Sequence, residues 1–252
     1  MQTPSHNNER RMKMPYYYGY GLDWTYLVIV LPCIILSMWA SSSVNSTFKK
    51  YAKVISSRRF TGAEAAQRVL YAIGVRGVRI ERVSGNLPDH YDPKTNVIRL
   101  SDSVYDSASV AAIGVACHEA GHAVQYAESY GPIKLRAAII PITNTGSKLA
   151  MPLILAGILL SFLGNFSYTL VYLGIAAFSL SLVFQLVTLP VEFNASRRAL
   201  ETIETSGLLT YEDQRGAKKT LKAAAMTYVA ATAVALAQVV RLLIIFGRRR
   251  RD

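Results

Sequence analysis

Cysteine, histidine and acidic residues are all scarce in this chain. Two cysteines, Cys33 and Cys117, cannot build a disulfide framework. One falls in an apolar run and the other beside a histidine, and both read as small buried thiols. Asp and Glu number 16 against 28 Lys and Arg, for a formal net charge of +12. Charge of either sign is missing from long stretches: Leu149 to Leu163 and Tyr168 to Leu189 carry none, and Leu22 to Ala40 carries only Asp23. A chain that is 51% hydrophobic yet strongly basic is not composed like an ordinary globular protein. Membrane proteins combine the two traits because Lys and Arg collect in the loops on one side. Nucleic-acid binding, the other reading of a basic chain, is set aside because the basic residues gather at the ends of apolar runs rather than along one face.

Histidine occurs at four positions, 6, 90, 118 and 122, and two of them fall in Val115-Ala116-Cys117-His118-Glu119-Ala120-Gly121-His122-Ala123-Val124-Gln125. This is His-Glu-x-x-His. On a helix, residues four apart share one face, one turn above the other. His118 and His122 can then both offer a ring nitrogen to one metal ion. Glu119, next round the helix, can reach the open coordination position without filling it. Two neutral imidazoles on Zn2+, with a carboxylate that takes a proton from the bound water, is metallopeptidase chemistry. The plainer reading is a pair of buried structural histidines.

Catalytic zinc usually has three protein ligands and a water, so a third must come from elsewhere. His6 lies in the polar N-terminal tail and His90 in a hairpin. Glu128 and Asp106 lie too near the helix to fold back onto its metal. Glu192 stands out because it ends an apolar run, where an ionised carboxylate is expensive unless paired or coordinated. Its alternative is an ion pair with Arg197 or Arg198.

The remaining organisation follows from periodicity. Residues 1–21 form a polar, Tyr-rich tail. Residues 22–40 give about 28 Å of helix, enough to cross a bilayer core. A cleaved signal peptide would have a shorter apolar region nearer the N-terminus. Residues 41–132 read as a small soluble α+β unit. Thr61-Gly62-Ala63-Glu64 is a capping box for a helix that stops at Gly74, Val78 to Val83 alternates like a strand, and Asp89 to Leu100 looks like a hairpin. The metal helix begins near Ser107 or Ser109. An interfacial helix is expected over 133–147, then a transmembrane hairpin over 149–189 with its turn at Gly164 to Ser167. Pro190 should break or kink the chain before a Glu-bearing segment and helix over 190–222. A fourth span over 223–246, in which Arg241 snorkels to an interface, precedes a basic tail at 247–252. The fold class is thus a mainly α membrane protein with about four transmembrane helices and a small α+β zincin-like catalytic unit. Fourteen basic residues flank the spans on the side of the HExxH unit and seven on the other, which puts the active site on the cytoplasmic face of a multi-pass cell-membrane protein.

Four segments together, Phe60-Thr61-Gly62-Ala63-Glu64, Asp89-His90-Tyr91-Asp92-Pro93, His118 to Gln125 and Leu189-Pro190-Val191-Glu192-Phe193-Asn194-Ala195-Ser196, resemble the YugP-like membrane zinc metallopeptidases over nearly the whole chain. More distantly the chain is similar to the HtpX-type and CAAX prenyl proteases, gluzincins that bind zinc through HExxH and a Glu in Glu-x-x-Ala-Asp. Ser196 stands where that layout has Asp. The resemblance implies an integral membrane endopeptidase acting on protein or peptide substrates in the bilayer's company, with zinc on His118, His122 and Glu192 and Glu119 as general base. His90 and Tyr91 are candidates for oxyanion stabilisation, and the strand Asn96 to Leu100 is a candidate for taking an extended peptide by strand addition. Two other classes stay open: a non-catalytic zinc-containing membrane scaffold or chaperone, and a zinc carrier. A fourth protein ligand would favour the first and acidic or His residues within several spans the second.

Overall fold

The computed structural model describes residues 23–84 and 89–248. The polar tail over 1–21, the middle of the turn after β1 and the last arginines of the basic tail lie outside the described residues. Among the described residues, seven α-helices and three strands follow in the order α1 (Leu31–Tyr51), α2 (Gly62–Ile73), β1 (Arg79–Val83), β2 (His90–Asp92), β3 (Val97–Ser101), α3 (Asp102–Tyr105), α4 (Val110–Ala127), α5 (Gly131–Leu159), α6 (Asn165–Thr205) and α7 (Tyr211–Arg248). A π-helical turn, Tyr26–Val30, leads into α1. Four of these helical stretches, Tyr26–Tyr51, Gly131–Leu159, Asn165–Thr205 and Tyr211–Gly247, are long and apolar enough to cross a membrane.

Helix α4 is the centre of the molecule. Ser109 caps its N-terminus by accepting the Ala112 N–H at 3.2 Å. Nearly every residue from Val110 to Gln125 is buried, on all faces of the helix, as expected of a helix that is apolar all round. α2 packs on one side, starting from the expected capping box and ending at Gly74 in the left-handed conformation. Val69 and Leu70 of α2, Ile98 and Leu100 of β3, Ile113 and Val124 of α4, and Ile203 of α6 form one continuous core. Each such side chain contributes about 1.5–3 kcal/mol by leaving water.

The sheet has the order β1-β3-β2, with β1 parallel and β2 antiparallel to β3. The hairpin expected from Asp89 to Leu100 is present. Asp92 fastens its turn by accepting from the Lys94 N–H, the Thr95 hydroxyl and Arg99. β3, however, is the central strand. Both of its edges are paired, so the expectation that Asn96 to Leu100 takes a peptide by strand addition is corrected: a strand with two neighbours has no free edge, and β1 and β2 hold the outer ones.

Two further expectations change in the long helices. Residues 133–147 do not form a separate interfacial helix; they are continuous with the first arm of the hairpin in α5, which holds Pro141 and Pro152 within it. Pro190 likewise does not end its helix, since α6 runs through it to Thr205. Proline removes one backbone hydrogen bond, and in both helices packing on neighbours offsets that loss. Glycines make the packing close. A Cβ at Gly157 would sit 2.8 Å from the Ser167 carbonyl oxygen, and one at Gly174 would sit 2.9 Å from that of Ala150. The same device joins α4 to α6, where a Cβ at Gly121 would meet the Ala195 carbonyl oxygen at 2.7 Å.

α1 packs antiparallel to α7, with Tyr51 against Gly216 at one end and Asp23 against Arg241 at the other. The Asp23 carboxylate caps the helix start through the Thr25 hydroxyl and the Tyr26 N–H. Its other oxygen is 3.5 Å from an Arg241 nitrogen, and both side chains are only 9% exposed. Arg241 therefore meets a carboxylate at the start of the first span. α1 covers it, and the lone acid of the first apolar run supplies its counterion.

Removing one partner of a buried pair strands the other charge, at about 3–5 kcal/mol. Asp23→Ala should lower the melting temperature in detergent, and Asp23→Ala with Arg241→Met should recover part of the loss; equal melting temperatures for Asp23→Ala and wild type would remove the pair from the stability account. Gly121→Ala should cost about 1–3 kcal/mol by overpacking the α4–α6 crossing, read by the same thermal measurement.

Candidate metal centre

α4 and α6 cross at Gly121 and Ala195, which sets the HExxH residues of one helix against Glu192 of the other. The His118 and His122 rings stand edge to face with centroids 4.7 Å apart. Glu192 Oε2 lies 3.3 Å from His118 Nε2 and 3.7 Å from His122 Nε2. The three donor atoms lie within 4.8 Å of one another. Zinc held at about 2.0–2.1 Å by nitrogen and oxygen in a tetrahedron needs donors roughly 3.3–3.4 Å apart, so the spacing suits a small ion. Glu192 Oε2 is buried and accepts no hydrogen bond, which a protein tolerates poorly unless something else satisfies the oxygen.

The outer nitrogens of both rings are held. Gln125 Nε2 donates to the Val191 carbonyl and to Asn194 Oδ1, each at 2.9 Å. Its Oε1 is therefore free to accept from His122 Nδ1 at 3.0 Å. That turns His122 Nε2 toward Glu192. The Asn194 oxygen also accepts from Arg198 Nε, whose guanidinium is paired with Glu128. On the other ring, His118 Nδ1 is 3.1 Å from Ser196 Oγ. Ser196 thus occupies the place beside a histidine that the gluzincin layout gives to Asp. Such partners orient a metal-binding imidazole.

Charge in the site is unbalanced toward carboxylates. Burial pushes the Glu119 carboxyl above its ordinary range, against the pull of His122 and His118. For His122 burial acts downward, but the Glu192 and Glu119 carboxylates outweigh it and raise the imidazole. Glu119 Oε2 accepts the Tyr91 N–H at 3.0 Å, so the general-base candidate touches the outer edge of β2.

The structure brings together His118, His122 and Glu192 and sets Glu119 beside them. It does not bring His90 into the three-donor cluster. His90 pairs with Arg99 across the sheet and precedes Tyr91, so its ring stands on the face of β2 opposite the Tyr91 ring, and its catalytic part rests on sequence alone. The Tyr91 hydroxyl is engaged by Asn96 Oδ1 at 2.8 Å. Neither Arg197 nor Arg198 pairs with Glu192. Arg197 reaches Glu201 and Arg198 reaches Glu128, while Arg136 of α5 holds Glu192. The Tyr228 hydroxyl of α7 lies beside the same carboxylate. Four residues around the site had no role assigned from the sequence. Gln125 was within reach, since a position three after His122 shares its helix face, and Asn194 lies in the same segment as Glu192. Arg136 and Tyr228 stand outside the quoted segments and meet the site through tertiary packing.

Residues 26–247 match the family described as "Putative neutral zinc metallopeptidase". The chain is similar to the protein named "Putative membrane protease YugP" of Bacillus subtilis (strain 168), at 46% identity over 221 residues, which is 88% of this chain and 96% of that protein. No solved structure matches it. A match of this length, with HExxH on a buried helix and a glutamate from a later helix closing on both histidines, places the chain in the YugP-like family of neutral zinc metallopeptidases.

Proposed function

We propose that this protein is an integral membrane endopeptidase of the gluzincin type, with His118, His122 and Glu192 as zinc ligands and Glu119 as general base. The observation that carries the reading is the convergence of three donors, one an orphaned buried carboxylate oxygen, beside a fourth group that could not be a ligand and a base at once. Structural zinc sites are usually closed by four protein ligands; the three-donor cluster here supports a catalytic site over a scaffold. Zinc bound there supplies a Lewis acid for the scissile carbonyl and acidifies a water.

The chain's own residues supply the rest. Gln125 and Ser196 hold the imidazoles so that both Nε2 atoms face the site. Glu119 receives the proton of the attacking water and returns it to the leaving amine. The α+β unit is zincin-like in this reading, because the edge strand β2 runs past the metal helix. An extended substrate adding to that edge would lie against Glu119, which suits unfolded or membrane-associated segments. Apolar side chains exposed on α1, α5, α6 and α7, among them Ile35, Met38, Leu155, Leu173, Leu186 and Leu243, form the surface we assign to lipid. Glu192 lies six residues beyond Leu186, so cleavage would occur near the membrane surface.

Glu119→Gln keeps the side chain's shape and removes the base. It should abolish proteolysis of an unfolded membrane-protein substrate, a loss of at least about 10²–10⁴-fold, with zinc content unchanged. Glu192→Ala should lose zinc as well as activity. Near wild-type turnover in Glu119→Gln would remove that residue from its role. The basic asymmetry orients the site toward the cytoplasm: a reporter in the connector over 52–61 should read as cytoplasmic and one after Gly164 as external, and the opposite pair of readings would place the protease on the outer face.

A further inference from the structure

Arg136 is the one group in the metal centre that comes from the first arm of the α5–α6 hairpin. Its Nη1 lies 3.2 Å from Glu192 Oε1, whereas the oxygen facing both imidazoles is Oε2. The two oxygens of one carboxylate are therefore divided between a guanidinium and the donor cluster. Glu192 is 3% exposed and Arg136 28%, so the acid is held from the protein side and solvent does not reach around it. A carboxylate can bind a metal through one oxygen or both. With Oε1 paired to Arg136, Oε2 is the oxygen turned toward the imidazoles.

We infer that Arg136 is a positioning residue for the third ligand: it grips Glu192 Oε1, limits the carboxylate to one-oxygen coordination through Oε2, and so preserves the open position. This rests on the metal site proposed above. A rival role, simple neutralisation of a buried anion, needs only a positive charge near Glu192. The two roles separate because lysine keeps the charge but not the planar, directional fork.

The test uses the full-length protein in detergent. Zinc dissociation constants are measured for wild type, Arg136→Lys and Arg136→Gln, and the visible spectrum of each is recorded with Co2+ in place of zinc. Positioning predicts that both variants bind zinc about 10–100-fold more weakly, the usual effect of losing a ligand's outer partner. It also predicts that the intense four-coordinate cobalt bands of the wild type weaken toward a five-coordinate pattern. Should Arg136→Gln fail to fold, Arg136→Lys decides alone. Wild-type affinity and spectrum in Arg136→Lys, or tighter zinc binding in either variant, would overturn the inference while leaving the zinc site standing. A wild-type protein that binds no zinc would instead contradict the site itself.

Discussion

Everything at the site depends on how closely α4 and α6 approach. A Cβ at Gly121 would meet the Ala195 carbonyl oxygen at 2.7 Å, so the two backbones touch where glycine leaves room. That crossing lies within the HExxH turn on one side and three residues past Glu192 on the other. Helix geometry does the rest: His118 and His122 share a face because they are one turn apart, and Glu192, Ala195 and Ser196 share a face of α6 for the same reason. One contact thus brings a carboxylate from 70 residues beyond His122 against both rings and seats Ser196 behind one of them. Gln125 strengthens the crossing by bonding the Val191 carbonyl and Asn194 of α6 while holding His122.

The second constraint is the cost of charge in an apolar body. Few acidic residues lie in the four long helices, and those that are buried have partners. Asp23 caps a helix and meets Arg241. Glu192 meets Arg136 and two imidazoles. The first pair fixes α1 against α7, and the second ties the α5–α6 hairpin to the metal helix. In the proposed mechanism the site lies where apolar helix faces give way to the α+β unit, so a substrate strand on the edge of β2 would reach Glu119 without entering the apolar bundle.

Local patterns were legible in the sequence and long-range pairings mostly were not. The Thr61–Glu64 capping box, the Gly74 stop, the hairpin around Pro93 and the Ser109 cap are encoded within a few residues each, and all are present. The helix spacing of His118 and His122 is of the same kind. Glu192 was accessible for a different reason, since an acid at the end of an apolar run demands an explanation. Of the two outcomes open at Pro190, a break is excluded, because α6 runs through it and packs along enough of its length to absorb one missing hydrogen bond. The interfacial segment over 133–147 misled because Pro141 suggested a boundary that helix continuity ignores. Strand order is invisible to alternation alone, so β3 could be recognised as a strand but not as the central one. Arg136 and Tyr228 carry no periodic signal, and only the assembled bundle brings them to Glu192.

The central claim is that one zinc ion sits between α4 and α6. Crystals of the zinc-loaded protein measured on both sides of the zinc absorption edge test it most directly. The account predicts a single strong anomalous peak about 2.0–2.2 Å from His118 Nε2, His122 Nε2 and Glu192 Oε2, with a non-protein oxygen in the fourth position. A peak elsewhere in the chain, or one at this site closed by a fourth protein side chain, would contradict it.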